Sequence, residues 1–540
     1  MIRRIAGVLA LASLVACGDN SPDTIIVNGK VFTSNPTQPW AQAIAIRGDR
    51  VIGTADTATI SAMAGANTRR IDAGGRTIVP GFNDAHQHIG IAPPHDTLTL
   101  PMDPSLDQIA MALTAQVKAS PAGRLIQGSF GQLAWGDPSF NRSWLDRLAP
   151  EHPVRLGSVT GHGAVLNSRA LQFIGIDEGV KDPDGGSYGR DAQGKLNGRL
   201  EEYADYLAGR RFALKTEPAE IVRLVREFAA QARSLGITSV QLMATSLPIA
   251  DMSKRLVEAD VPIRWRVFRF PTREAGGETV DSRPTLPPQP TAMIDTRGMK
   301  WILDGTPIER LAFMRAPYAD APGERGRLNL PIARIDEFVG WAYGSEDPLA
   351  VHAVGDAALD AYISAVERAG RGEVWRDKRP RIEHGDLLSP DLIARAKRMG
   401  MVVVQNPLHF SFAEAFQRRF DAERLATIEP MKSLLAAGIP LAIGSDGPMH
   451  PGLNIMFATL HPANPKEALS REEAVAAYTA GSAFAEFREK EKGRLVVGSL
   501  ADLAVLSADL FSIPPAELPK ISSVMTMVGG RVVHDAGVIR

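Results

Sequence analysis

The chain has 540 residues, 44% hydrophobic and 22% charged, enough for a large barrel with accessory pieces and of ordinary globular composition. Sixty Lys and Arg face 61 Asp and Glu, a formal net charge of −1. This gives no support for nucleic-acid binding, which wants a basic stripe, and the single cysteine excludes an internal disulfide.

In chain order, the first segment reads as a signal for export rather than as fold. A basic "MIRR" precedes the apolar "IAGVLALASLVA", which is too short to span a bilayer. The following "LVAC" resembles a bacterial lipobox, in which the cysteine is acylated. This predicts a lipoprotein signal over 1–16, a lipid anchor on Cys17 and a tether over 17–23. The body would then be soluble, on a membrane facing the periplasm or exterior. No second stretch is apolar and long enough to span.

Next, "DTIIVNGKVFTSN" and "QAIAIRGDRVIGTA" are rich in Ile and Val and punctuated by "NG" and "GD", the marks of β-hairpins. Near the other end "ADLAVLS" and "SSVMTMVGGRVVHDAG" have the same character. The two ends, 24–75 and 487–540, are expected to form one small β-sandwich domain.

Between them, apolar runs alternate with amphipathic ones. The strand candidates are 77–82, 237–244, 263–270, 298–305, 348–354, 381–385, 401–407 and 440–446. Helical patterns such as "EIVRLVREFAAQARSLG", "DAALDAYISAVERAG" and "SPDLIARAKRMG" fall between several of them. Continuous apolar strands alternating with helices imply a parallel sheet under helices. Eight of them predict an α/β fold, a (β/α)8 TIM barrel over 76–486. The stretch 93–235 is too long for one connection, so a large insertion after barrel strand 1 should lie over the barrel mouth.

The chemistry-bearing residues cluster at the ends of these strands. "NDAHQH" places His86 and His88 one residue apart after the first run. In a strand that spacing turns both imidazoles to one face, within reach of one ion; on a loop they would be ordinary histidines. Lys300 lies in the fourth strand, His352 ends the fifth, His384 the sixth and Asp446 the eighth. Such groups in an apolar barrel are costly unless paired or bound to metal. Imidazole nitrogen with carboxylate oxygen suits zinc and its neighbours.

The ordered set HxH, Lys, His, His, Asp resembles the amidohydrolase superfamily over essentially the whole mature chain. "VPGFNDAHQH" is similar to its first-strand signature. "HPVRLGSVTGHGAVLNSRAL", "VHAVGDAALDAY", "IEHGDLL" and "SREEAVAAYTAGSAFA" resemble the amidohydrolase-3-like branch, which includes N-substituted formamide deformylases. The resemblance implies a metal-dependent hydrolase acting on a C–N amide-type bond of a small molecule. It implies two divalent ions, Zn2+ or similar. His86, His88 and Asp446 would hold one, His352 and His384 the other, with Lys300 bridging as a carbamate. Lys300 as a plain cation paired with Asp304 or Asp446, beside a single metal, is the alternative. Metal-activated hydroxide would attack the carbonyl, with Asp446 as general base and then acid.

Within the insertion, Trp135 and His162 match branch blocks and are expected at the substrate. Glu202 and Gln405 also match, without an assigned chemical role. The chain departs from the branch at "GSFGQ", where a Gly-Trp pair and an acidic residue are usual, and at Gln241, where His or Asp is common. An ester, lactone, carbamate or phosphoester as substrate stays open, as does a non-catalytic lipoprotein binding module. Oligomeric state, a homo-oligomer included, is open too.

Overall fold

The structure, a computed structural model, describes residues 21–273 and 279–539. The signal segment and Cys17 lie outside the described residues. Among those residues no helix is long and apolar enough to cross a membrane.

Eight strands lie side by side in chain order. They are β1 (Phe82–Gln87), β2 (Ile237–Ala244), β3 (Arg264–Arg269) and β4 (Met299–Ile302). Then follow β5 (Leu349–Ala353), β6 (Arg381–His384), β7 (Val402–Gln405) and β8 (Leu441–Ile443). Neighbours pair in parallel from β1 to β8. The ring closes where Asp446 N–H donates to the His86 carbonyl (2.9 Å) and Ser445 N–H to Asp84 (2.8 Å). Every residue of β2 is buried, as a strand covered on both faces requires. Helices flank the strands in sequence. Pro218–Ser234 begins with Pro at its first turn and buries Ile221, Val225, Ala229 and Ala232 in the same core as β2.

The two chain ends build the sandwich. One sheet orders Arg50–Ala55, Ala43–Arg47, Thr24–Val27 and Arg69–Asp72; the other joins Lys30–Phe32 and Thr77–Pro80 to Leu503–Leu506 and Ser523–Val528. Ile26, Ile44, Val51, Ile78, Leu503 and Met527 fill the space between them.

This corrects the expected first barrel strand at 77–82. Thr77–Pro80 pairs antiparallel with Leu503–Leu506 in the sandwich, and the barrel strand starts at Phe82. The break falls at Pro80-Gly81. Proline has no N–H for a ladder, and a Cβ on Gly81 would lie 2.1 Å from Thr238 Oγ1. His86 is therefore inside β1 and His88 is the first residue beyond it.

The insertion has a six-stranded sheet of its own, from His95–Thr97 to Leu196–Glu202. Its core includes Ile109, Phe130, Phe140, Leu145 and Leu156. The chain returns to the barrel through Tyr203–Ala213 and Pro218–Ser234.

Candidate metal centre

The predicted residues converge at the C-terminal end of the barrel. His86 stands on β1, Lys300 on β4, His352 on β5 and His384 at the end of β6. His384 (φ 70) and Asp446 (φ 45) both adopt the left-handed backbone region. Non-glycine residues are held there at a cost, typically at functional sites.

The hydrogen bonds fix which nitrogen is free in two of the imidazoles. His86 Nδ1 donates to Glu383 Oε2 (2.7 Å) and His384 Nδ1 to Asn406 Oδ1 (2.9 Å), while His88 Nδ1 lies 2.9 Å from Thr245 Oγ1, a hydroxyl that can donate or accept. In His86 and His384 this leaves Nε2 as the unprotonated nitrogen, the orientation that metal-binding histidines take from their outer partners. Glu383 is itself held by Arg381, through Nε at 2.7 Å and Nη2 at 3.0 Å. Burial works to raise the Glu383 carboxyl, but Arg381 and His86 hold it well below the usual range.

Asp446 Oδ1 lies 3.2 Å from His88 Nε2 and 3.6 Å from His86 Nε2; Oδ2 lies 3.7 Å from His384 Nδ1. One ligand atom from each of His86, His88 and Asp446 falls within 4.8 Å of the others. The His352 and His384 rings are 4.4 Å apart. Lys300 Nζ stands 3.1 Å from His86 Nε2. Asp304 is occupied elsewhere, accepting backbone N–H groups from Phe313, Val354 and Gly355 at 2.9–3.0 Å.

The donors fit a divalent metal. His352 Nε2 is buried and has no hydrogen-bond partner, a cost that a bound ion removes. Burial holds His352 and His384 well below the ordinary imidazole value and brings His86 to about 4, with the Lys300 cation adding to the shift. They are therefore neutral and each can offer a nitrogen lone pair. Burial works to raise Asp446, but His86, His409 and His88 outweigh it, so the carboxylate stays ionised.

The centre opens into a cleft of about 820 Å³ between barrel and insertion. His162 hangs into it from the loop between Val154–Ser158 and Gly163–Leu166, its ring 4.6 Å from that of His352. Its Nδ1 meets Glu202 Oε2 at 3.0 Å, and its Nε2 lies 3.4 Å from Tyr206 Oη. Burial opposes a charge on His162, but Glu202 overrides it and leaves the imidazole raised. Glu202, at φ 54, also accepts from Asn329 Nδ2 (2.9 Å). Trp135 is placed differently. It stacks on Phe130 and under Arg199, in the insertion core rather than along the cleft. Gln405 Nε2 donates to the His384 carbonyl (3.0 Å).

Three residues at the centre escaped the sequence reading. Glu383 immediately precedes His384. His409 follows β7 in "QNPLHF", with Nε2 3.7 Å from Asp446 Oδ2. Asp386, two residues beyond His384, meets His409 Nδ1 at 3.5 Å. Surveying every polar residue just past each strand, rather than histidines within strands, would have found the last two.

A model of the amidohydrolase family matches residues 69–534. Among curated proteins, the putative amidohydrolase YtcJ of Bacillus subtilis is 29% identical over 94% of this chain and 98% of its own length. The N-substituted formamide deformylase of Arthrobacter pascens is 25% identical over 94% of this chain and 97% of its own. Among solved structures, an uncharacterised metal-dependent hydrolase of Pyrococcus horikoshii superposes with a TM-score of 0.68 at 20% identity, covering 91% of this chain and 99% of that one. This last likeness bears on the fold.

Proposed function

Because the chain belongs to the amidohydrolase family, we propose that it hydrolyses a C–N amide-type bond, in an N-acyl or N-formyl amide or a related small molecule. The observation that carries this reading is the convergence of His86, His88, His352, His384, Lys300 and Asp446 at the floor of one cleft, with no hydrogen bond to His352 Nε2, whose nearest anion is Asp304 Oδ1 at 3.7 Å. His86, His88 and Asp446 would hold one divalent ion, Zn2+ or similar, and His352 and His384 a second. Such ions supply Lewis acidity toward a carbonyl and make water acidic enough to act as a nucleophile at neutral pH.

Lys300 is assigned the bridge, as a carbamate. An ammonium repels a cation, whereas a carbamate offers two anionic oxygens. Burial brings the Lys300 amine to about 8, so near neutral pH it presents the unprotonated fraction that addition to CO2 requires.

The residues divide the remaining work. Asp446 is partly exposed to the cleft and ionised, so it takes the proton of the attacking water and passes it to the leaving nitrogen. The products are a carboxylic acid and an amine. Glu202 keeps a proton on His162 Nδ1 and, by raising the ring, favours a second on Nε2, beside Tyr206. This pair is placed to donate to the carbonyl oxygen as charge develops on it. The insertion lines one wall of the cleft, through His162 and Tyr206. The likeness to a deformylase along nearly the whole chain supports C–N substrates over esters.

The lipobox-like "LVAC" adds a location: export, with acylation of Cys17. The catalytic reading is tested by loading purified protein with Zn2+ and measuring amine release from N-formyl and N-acyl amines. The matching ester, lactone, carbamate and phosphoester are assayed beside them. Higher kcat/KM for the C–N set is expected; faster turnover of an ester or phosphoester would overturn it.

A further inference from the structure

We propose that Asp386, His409 and Glu429 form a further divalent-cation site, behind Asp446 and distinct from the ions assigned to the β-strand histidines. One ligand atom from each of the three lies within 4.8 Å of the other two. Glu429 is fully buried, and neither of its carboxylate oxygens has a hydrogen-bond partner. Asp386 is 2% exposed, and its Oδ1 also has none. Three buried carboxylate oxygens without a partner thus surround a single imidazole.

The cluster has no neutralising cation of its own. Among the described residues, no Lys or Arg pairs with Asp386 or Glu429; the one ion-pair contact is His409 Nδ1 to Asp386 Oδ2, at 3.5 Å. Two buried carboxyls with three oxygens lacking any hydrogen-bond partner are an uncompensated desolvation cost, whether charged or protonated. A divalent cation with a neutral imidazole balances both. Two carboxylate oxygens and one imidazole nitrogen are the donor set of Zn2+, Mn2+ or Fe2+.

The scaffold holds Glu429 in place. Its backbone is left-handed (φ 46), its N–H donates to the Asp386 carbonyl (2.7 Å), and its own carbonyl accepts from His461 Nε2 (3.0 Å). A non-glycine residue stays in that conformation only where the surrounding structure holds it there. Asp386 and His409 also line a small cavity of about 50 Å³ shared with His352, His384 and Asp446.

The site would act on the reaction through His409. With Nδ1 on the cation, the ring carries its proton on Nε2, 3.7 Å from Asp446 Oδ2. A cation-fixed N–H would then hold the carboxylate that moves the proton, as outer partners hold metal ligands. His409 is a positioning residue in this scheme, and occupancy of the site does not depend on which substrate is cleaved.

The test uses the full chain, stripped with chelator and loaded with Mn2+. Crystals should give an anomalous-scattering peak between Asp386, His409 and Glu429, and Glu429→Gln should bind one Mn2+ fewer per chain than wild type. His88→Ala, which disturbs the β1 centre, should keep that peak, separating this site from the proposed catalytic ions. Equal Mn2+ content in wild type and folded Glu429→Gln, or a wild-type map with no peak there, would overturn the proposal and leave a proton shared between the two carboxyls. Should Glu429→Gln fail to fold, Asp386→Asn and the wild-type map decide alone.

Discussion

Glu383 controls His86 without touching anything that reacts. It accepts the Nδ1 proton at 2.7 Å and so commits Nε2 to the cleft. Glu383→Gln keeps the volume but removes the charge, and an amide nitrogen facing Nδ1 reverses the tautomer. Metal affinity should fall about 10–100-fold, read by competition with a chromophoric chelator while the fold is followed by circular dichroism. Unchanged affinity would show that Glu383 serves only to neutralise Arg381. At this scale the histidines and Asp446 were legible in the sequence because a polar residue in an apolar run is conspicuous. His409 and Glu429 were not, since each belongs to a connection whose path depends on how neighbouring strands are spaced. Trp135 matched a branch block, yet an aromatic in a block is equally suited to packing, and here it packs.

Among the elements, the seam between β8 and β1 is the most sensitive. A Cβ on Gly444 would lie 2.5 Å from the His86 backbone N and Cβ, so Gly444→Ala must push β1 away. The expected cost is on the order of 1–3 kcal/mol in denaturant unfolding, with weaker metal retention because His86 moves. Loss of stability without loss of metal would separate closure from the centre. The sandwich has its own tie. Asp509 accepts from Lys30 Nζ (2.7 Å), Thr77 Oγ1 (2.9 Å) and Ser512 Oγ (2.7 Å), joining the two ends of the chain. Burial works to raise its carboxyl, but these donors bring it down to about 2. A depressed carboxylate stabilises above its unfolded value near 4 and loses this as pH falls through about 2. Asp509→Asn should therefore lower the thermal midpoint near neutral pH, with the gap closing in that acid window; a gap constant across it would contradict the assignment. Strands β2 to β8 were legible because continuous apolar runs bounded by Gly and Pro mark buried parallel strands. The first was displaced because "TIVPGF" is apolar throughout. Only pairing with Leu503–Leu506, more than 400 residues away, shows that its first half belongs to another sheet.

For the whole molecule, the barrel supplies the histidines, Lys300 and Asp446, the insertion supplies His162 and Tyr206 over them, and the sandwich gathers both chain ends. The eight-strand repeat carried the barrel in the sequence, and the overlong connection announced the insertion. How that insertion folds was not legible, because its strands are short and its pairings non-local. Export is argued from the first seventeen residues. Cys17→Ser should move the protein from the membrane fraction to the soluble one, and continued partition into membranes would rule out acylation there as the anchor. The central claim, metal-dependent hydrolysis with Asp446 moving the proton, is met most directly by following amine release from an N-formyl or N-acyl amine through metal stripping and Zn2+ reloading. Activity should be lost on stripping and restored on reloading, with fully loaded Asp446→Asn slower by about 10²–10⁴-fold. Full turnover by the stripped protein, or wild-type turnover by loaded Asp446→Asn, would contradict it.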